Sequence, residues 1–487
     1  MPQPLRVLFV ASEAAPLTKT GGLADVAAAL PVALRELGVD VRVLLPCYTE
    51  VLAGSKDAAP IAQLAPIGVF PEATLLSAHA PNGQPLILLA CPELYERNGG
   101  PYLDASGRDW PDNAVRFGFL SYVAALLGSD ATPIGWRCDI VHCNDWQSGL
   151  APAYLHWSGR PRAPSLMTLH NLAYQGIFAP SFVPRLGLPS QSFHVDGLEY
   201  YGSMSFLKAG IYYAERISTV SPTYAREIQS EPLGFGLHGL LAARRNVLEG
   251  ILNGIDVGAW DAATDPALYA NYDAHSLERK SRNKDGLRER FGLRASLEGP
   301  LLGIVSRLIP QKGIDLVIAC ATQLIGLPAQ LIVLGTGDAD IEQDLADLAR
   351  TYPGDVAFIR GFDEALSHLI EAGADIFLMP SRFEPCGLNQ MYSQRYGTPP
   401  VVHRTGGLAD SVVDCTPETL AAGAATGFVF NAASPGSLIA AAQRAANVWR
   451  TPELWRRLQR NGMARDFGWT ASARRYLELY RSMQRPS

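Results

Sequence analysis

One passage near the amino terminus restricts the fold most. LRVLFVA (5–11) is a short apolar run; a glycine-bearing loop follows, then GLADVAAALPVALREL at helical spacing, then VDVRVLLP. Strand, loop, helix and strand in that order open a parallel α/β domain. Further apolar strands are expected at PLILLAC (85–91), DIVHC (139–143), SLMTLH (165–170) and ISTV (217–220), with helical patterns between them at 113–127 and 204–214. The turn signal LNGID (252–256) closes this half, and a charged, strand-poor stretch runs to about 298. PLLGIVSRL (300–308) restarts the alternation, continued by AQLIVLG (329–335), DVAFIRG (355–361), ADIFLMP (374–380) and PPVVHR (399–404). The expected class is α/β, with two Rossmann-like doubly wound domains at 1–250 and 251–460. The chain is strongly helical from about 437, and its last part, 461–487, is read as a tail that can cross back to the first domain.

TGGLAD occurs twice, at Thr20–Asp25 behind Lys19 and at Thr405–Asp410 behind Arg404. In each half it sits where a strand hands over to a helix, and the two positions are read as equivalent. Adjacent glycines let backbone approach a ligand closely. The amides of the following helix start then face an anion, helped by the helix dipole. The plainer alternative is a tight turn with a solvated cation. If the halves face each other, both loops open onto one interdomain cleft at the carboxyl ends of the strands.

Composition excludes several classes. A net charge of −6 without a basic tract gives no reason to expect nucleic acid. The start is no secretory signal, and no apolar stretch is long enough for a membrane span. Seven cysteines without a CxxC pair suit reduced thiols in the cytoplasm better than disulfides or zinc.

Chemistry concentrates at strand ends. SRLIPQKG (306–313) presents Arg307 and Lys312, two cations that can bracket a diphosphate or be ordinary surface charge. In PSRFEPCGLNQMY (380–392), Glu384 is either a cap-like carboxylate at a helix start or an acceptor for sugar hydroxyls. Cys386 reads as a packed residue, not a nucleophile. HCNDW (142–146) and LHNLAYQG (169–176) bring His142, Asp145, Trp146, His170, Asn171 and Tyr174 to a cleft edge, a mixture that suits carbohydrate. His142 beside Cys143 lacks a second ligand cluster, so no metal is expected. LGTGDAD (334–340) has Asp340 where a dinucleotide fingerprint needs glycine, which disfavours NAD, although Gly335 and Gly337 can shape a nucleoside pocket. Phe362 either stacks on a base or belongs to the core.

Together KTGGLADV (19–26), HCNDW, HNLAYQG, SFLKAG (205–210), VSPTYAREI (220–228), LNGID, SRLIPQKG, SRFEPCGL (381–388), YGTPPVVHRTGGLAD (396–410) and DFGW (466–469) resemble the bacterial glycogen synthases and plant starch synthases. That resemblance implies a GT-B glucosyltransferase: ADP-glucose donor, α-1,4-glucan (glycogen) acceptor, retention of configuration, no metal and no cofactor. It implies that Lys19, with Gly22 in its loop, contacts the nucleotide-sugar phosphates across the cleft. Arg307 and Lys312 would neutralise the diphosphate. Glu384 and the amides of Cys386 and Gly387 would hold glucose hydroxyls, and Thr405, Gly406 and Gly407 would supply phosphate donors. His170 would sit beside the reacting sugar, with Asp25, Asp145, Asn171 and Tyr95 on the acceptor side. Departures from the family pattern are Cys143–Asn144, Phe362 in place of Tyr and Asn389 in place of Thr. The rivals are a UDP-glucose or small-acceptor enzyme of the same fold and a non-catalytic glucan-binding protein, against which intact Lys19, Arg307, Lys312 and Glu384 argue. A phosphorylase would be expected to show a pyridoxal-lysine signature, and none is seen.

Overall fold

In the computed structural model, which describes residues 4–484, the amino-terminal apolar run becomes the strand Arg6–Val10 in the middle of a nine-stranded sheet. Across that sheet the order is Leu248–Gly250, Arg216–Thr219, Ser165–Leu169, Ile140–Asn144, Arg6–Val10, Asp40–Pro46, Pro85–Ala90, Ala73–His79 and Lys56–Leu64. All pair in parallel except Ala73–His79, which is antiparallel to both its neighbours and makes an antiparallel edge with Lys56–Leu64. That edge is absent from the sequence reading because most of Lys56–Leu64 is exposed and carries no apolar alternation. Helix Gly22–Glu36 buries Leu23, Val26, Ala27, Leu30 and Leu34, recurring every three or four residues, and leads to Asp40–Pro46. The chain later returns on the other side of Arg6–Val10 with Ile140–Asn144, so the winding reverses beside that first strand. Ligands of open α/β sheets bind outside the carboxyl ends of strands at such a reversal.

The second unit, Ile255–Gly468, holds a wholly parallel six-stranded sheet. Its order is Val356–Arg360, Gln330–Gly337, Leu301–Leu308, Ile376–Met379, Pro400–His403 and Phe428–Phe430. Numbered along the chain, the six strands of the second sheet follow the Rossmann order 3-2-1-4-5-6, and the parallel strands of the first follow the same order with a seventh added beyond the sixth. In the second sheet the winding reverses between Leu301–Leu308 and Ile376–Met379.

Helix Pro452–Met463 stays with the second unit, burying Trp455 and Leu458 in its core and donating from Gln459 Nε2 to Gly397 O at 2.8 Å. Only Trp469–Gln484 packs in the first unit, where Tyr476 and Tyr480 lie against His142 and Ser472 donates to Leu252 O. The unit boundaries fall at Gly254–Ile255 and Gly468–Trp469, against an expected 250–251 and 460–461.

His142 is no edge residue. Strand alternation places it on the same face as Asn144 but two residues short of the strand end. It is wholly buried, with Nδ1 2.7 Å from Tyr480 Oη and Nε2 2.6 Å from Thr168 Oγ1. Burial holds the imidazole neutral, far below its ordinary range.

Candidate active site

In the first unit, Arg6–Val10 runs into Ser12 and Glu13, both buried. Glu13 Oε2 accepts the amides of Thr20 at 2.5 Å and Gly21 at 3.3 Å, while Tyr102 Oη donates to Oε1 at 3.0 Å. Burial pushes the Glu13 carboxyl up and these donors oppose that shift. Two loop amides just ahead of the helix start, those of Thr20 and Gly21, therefore hold this chain's own carboxylate. Glu13 escaped the sequence reading because only the folded loop brings it to Thr20 and Gly21. Lys19 Nζ lies 2.9 Å from Asp25 Oδ1 on the exposed side of the loop. Gly22 has room: a Cβ there meets nothing within 4 Å.

The neighbouring strand Ile140–Asn144 ends at Asp145, whose φ of 54° and ψ of −176° are nearly reserved for glycine. Asp145 Oδ1 accepts the amides of His170 at 2.7 Å and Asn171 at 3.4 Å, tying two strand ends together. Burial pushes its carboxyl up to about 7, although both amides favour the ion. His170 Nε2 is 2.9 Å from Asn144 Oδ1, and Asn144 Nδ2 donates to Val10 O at 3.0 Å. The amide oxygen thus faces the ring, so Nε2 carries the proton and Nδ1 keeps its lone pair. Burial lowers His170 to about 3, which makes it a neutral hydrogen-bonding group at physiological pH. Asn171 Oδ1 accepts Ala173 N at 3.1 Å and shapes the turn. Tyr95 is a correction. It is enclosed in the core beside Tyr48, and its Oη donates to Arg116 O at 2.7 Å, so it offers no acceptor-side surface.

In the second unit, Lys312 and Glu384 meet at the winding reversal, Nζ to Oε2 at 2.6 Å. Ser381 Oγ donates to the same Oε2 at 2.9 Å, so Glu384 is an ion-pair partner and not a helix cap. The two loops are further joined by Arg382 N to Gln311 O at 2.8 Å and Arg382 bidentate on Asp315 at 2.7 and 2.6 Å. Gly313 has φ +67°, and a Cβ there would lie 2.2 Å from Pro380 O. Arg307 is exposed at the end of its strand.

The second TGGLAD copy packs onto the Glu384 loop. Gly407 N donates to Glu384 O and Pro385 O, each at 3.1 Å, and Thr405 N to His403 O at 3.0 Å. The phosphate-donor role expected of Thr405 and Gly407 is corrected to that extent: these two amides serve the fold. A Cβ on Gly406 would lie 2.0 Å from Glu384 O, and one on Gly407 2.0 Å from Cys386 O. Cys386 is buried, and Gly387 takes φ +69° beside Glu384. Gly335 and Gly337 let their strand pass close to its neighbour, since added Cβ atoms would sit 2.1 Å from Ser306 O and 2.3 Å from Leu308 O. Gly337 N is held by Glu342 Oε1 at 2.9 Å. Phe362 is 69% exposed and so lies outside the core. Among the described residues no group of three or more His, Cys, Asp or Glu is arranged to hold a metal, and no helix is long and apolar enough to cross a membrane.

Two Rossmann-ordered sheets with polar clusters at their winding reversals suit ligands at the strand ends, and the comparisons place the chain among glycosyltransferases of the GT-B type. Residues 6–243 match the starch synthase catalytic domain family and 287–464 the glycosyl transferases group 1 family. The chain is 56% identical to a glycogen synthase of Nitrosospira multiformis, covering 98% of this chain and 97% of that one. It is 57% identical to a glycogen synthase of Nitrosomonas eutropha over 98% and 96% of the two chains. Among solved structures, the catalytic domain of starch synthase IV from Arabidopsis thaliana, bound to ADP and acarbose, is similar with a TM-score of 0.89, 33% identity and 99% coverage of each chain. Sucrose-phosphate synthase from Thermosynechococcus elongatus, at 19% identity and a TM-score of 0.57, shares the fold. The chain belongs to the glycogen synthase family.

Proposed function

We propose that this chain elongates glycogen, transferring glucose from ADP-glucose to the non-reducing 4-OH of an α-1,4-glucan with retention of configuration and without a metal ion or cofactor. The carrying observation is the Lys312–Glu384 pair at a winding reversal in a chain of this family. Breaking the bond from the anomeric carbon to a diphosphate develops positive charge on the sugar and negative charge on the departing oxygen. Lys312 and Arg307 supply the positive charge that stabilises the leaving group. Glu384 orients the Lys312 ammonium through Oε2, and its other oxygen suits a glucose hydroxyl. His170, neutral with a free Nδ1 lone pair, accepts a sugar hydroxyl without repelling a developing cation. Asp145, Asp25 and Asn171 serve the acceptor, Phe362 the base, and Lys19 the phosphates on release from Asp25. Front-face attack within an ion pair is the proposed route to retention. A cytoplasmic setting belongs to this reading, supported by seven buried free thiols.

The test is incubation with glycogen and either ADP-glucose or UDP-glucose, with and without EDTA, reading glucose incorporated and the anomeric form of the new linkage. Incorporation from ADP-glucose with α linkages and no EDTA effect is expected. Incorporation from UDP-glucose alone overturns the donor, an inverted product overturns the route, and EDTA inhibition overturns metal independence.

A further inference from the structure

We propose that Arg382 is a positioning residue for the transfer step: locked onto Asp315, it sets where the Lys312 ammonium stands against Glu384 and against the leaving diphosphate. The inference rests on the reading that Lys312 stabilises the leaving group.

Lys312 ends a single turn, Pro310–Lys312, just beyond the strand Leu301–Leu308. A lysine is a point charge on a flexible stem, so its ammonium is only as well placed as the backbone that carries it. Arg382 holds that backbone on both sides of Lys312. Ahead of it, Arg382 N donates to Gln311 O at 2.8 Å and Nη1 to Pro310 O at 2.7 Å. Behind it, Nη1 and Nη2 donate to Asp315 Oδ1 and Oδ2 at 2.7 and 2.6 Å. Gln311 Nε2 returns a bond to Phe383 O at 3.2 Å. Gly313, where any Cβ would strike Pro380 O, lets the two loops close up. Glu384 follows Arg382 on the same loop, so the contacts that fix the lysine turn also fix the carboxylate it meets.

The same pair is a poor device for stability alone. The Arg382 and Asp315 side chains are 38% and 47% exposed, and ion pairs so open to water contribute little to folding. What the planar fork supplies is direction, because two parallel bonds to one carboxylate fix an orientation that a point charge cannot. Hydrogen bonding to Arg382 holds the Asp315 carboxyl below its ordinary range, which keeps the pair ionised at neutral pH.

Lys312 faces charge that develops only as the diphosphate departs. Misplacing it should therefore lower kcat, and affinity for ADP with its extra negative charge, more than it alters KM for ADP-glucose. Arg382→Ala and Asp315→Asn should each lower kcat about tenfold or more, weaken ADP by a similar factor in calorimetry, and leave KM for ADP-glucose within about twofold. Arg382→Lys keeps the charge but loses the fork and should fall with Arg382→Ala. In a Lys312→Ala background, Arg382→Ala should cost almost nothing further, because the group it positions is gone. A kcat of Arg382→Ala within about twofold of wild type overturns the positioning role. So does an equal fold loss with and without Lys312, which would make Arg382 a residue of the fold alone. A wild type that binds ADP yet transfers no glucose overturns the proposed activity. The same cycle run on ADP affinity then decides the role of Arg382: coupling to Lys312 supports it, and additivity overturns it.

Discussion

Thr20–Asp25 and Thr405–Asp410 are the same six residues, yet the first follows strand one of its sheet and the second follows strand five of its own. The first copy opens a 15-residue helix, and its glycines stand in open space. The second opens a helix of 6 residues, and its glycines are pressed against the carbonyls of Glu384 and Cys386. In the first copy the amides of Thr20 and Gly21 hold the side chain of Glu13; in the second, the amides of Thr405 and Gly407 donate to backbone carbonyls. A short repeat therefore reports a shared local geometry, strand into glycine turn into helix, and not equivalent positions in two duplicated domains. The same glycine pair stands in open space in one unit and permits close backbone packing in the other.

Substitutions at these loops sharpen the contrast. The largest effect is expected at Gly407→Ala, whose new methyl collides with backbone that cannot rotate away. Chemical denaturation should show a loss of about 3 kcal/mol or more, and a near-native midpoint would break the packing half of the comparison. Lys312→Ala removes the ion-pair partner of Glu384, whose loop carries that copy. It should cost ~2–4 kcal/mol in kcat/KM, similar to losing one preorganised electrostatic donor; unchanged steady-state kinetics would remove Lys312 from the leaving-group site. In the first unit, Glu13→Ala strips partners from Thr20 N, Gly21 N and Tyr102, and a stability loss of about 2–3 kcal/mol is expected, with Glu13→Gln milder.

Asp145 gives a pH test. Its folded-state value of about 7 lies above the ordinary 3.8, so the stability it contributes is fully present below pH 3.8 and is lost as pH rises to 7. Relative to Asp145→Asn, the wild type should lose about 3–4 kcal/mol across that window, at about 1.4 kcal/mol per pKa unit. Parallel unfolding curves at pH 4.5 and 7.5 check this, and a constant difference between the two proteins would contradict it. The smallest effect is expected at Gly22→Ala, within about 0.5 kcal/mol of wild type because nothing is near its Cβ. A large loss there would erase the distinction between the two copies.

Much of this was legible beforehand. Near-continuous apolar runs, glycine-bearing turns and helical spacing are properties of neighbouring residues, and they marked the winding of both sheets and the loops carrying Lys312, Glu384, Asp145 and His170. The edge hairpin at Lys56–Leu64 and Ala73–His79 was hidden because its outer strand buries almost nothing. His142 and His170 illustrate the limit. Both follow an apolar run, but a tyrosine 338 residues away encloses the first, and Asn144 sets the tautomer of the second.

The sequence by itself determined the alternation of strands and helices, the breaks between them and the chemical character of the loops, because periodicity and turn chemistry act over a few residues. Only the tertiary structure decided that Tyr95 belongs to the core, that Glu13 fills the first glycine loop, that Lys312 and Glu384 are partners, and that Arg382 meets Asp315. Those outcomes depend on burial and on which distant groups meet, and desolvation and pairing are set by the packed whole and not by neighbours along the chain.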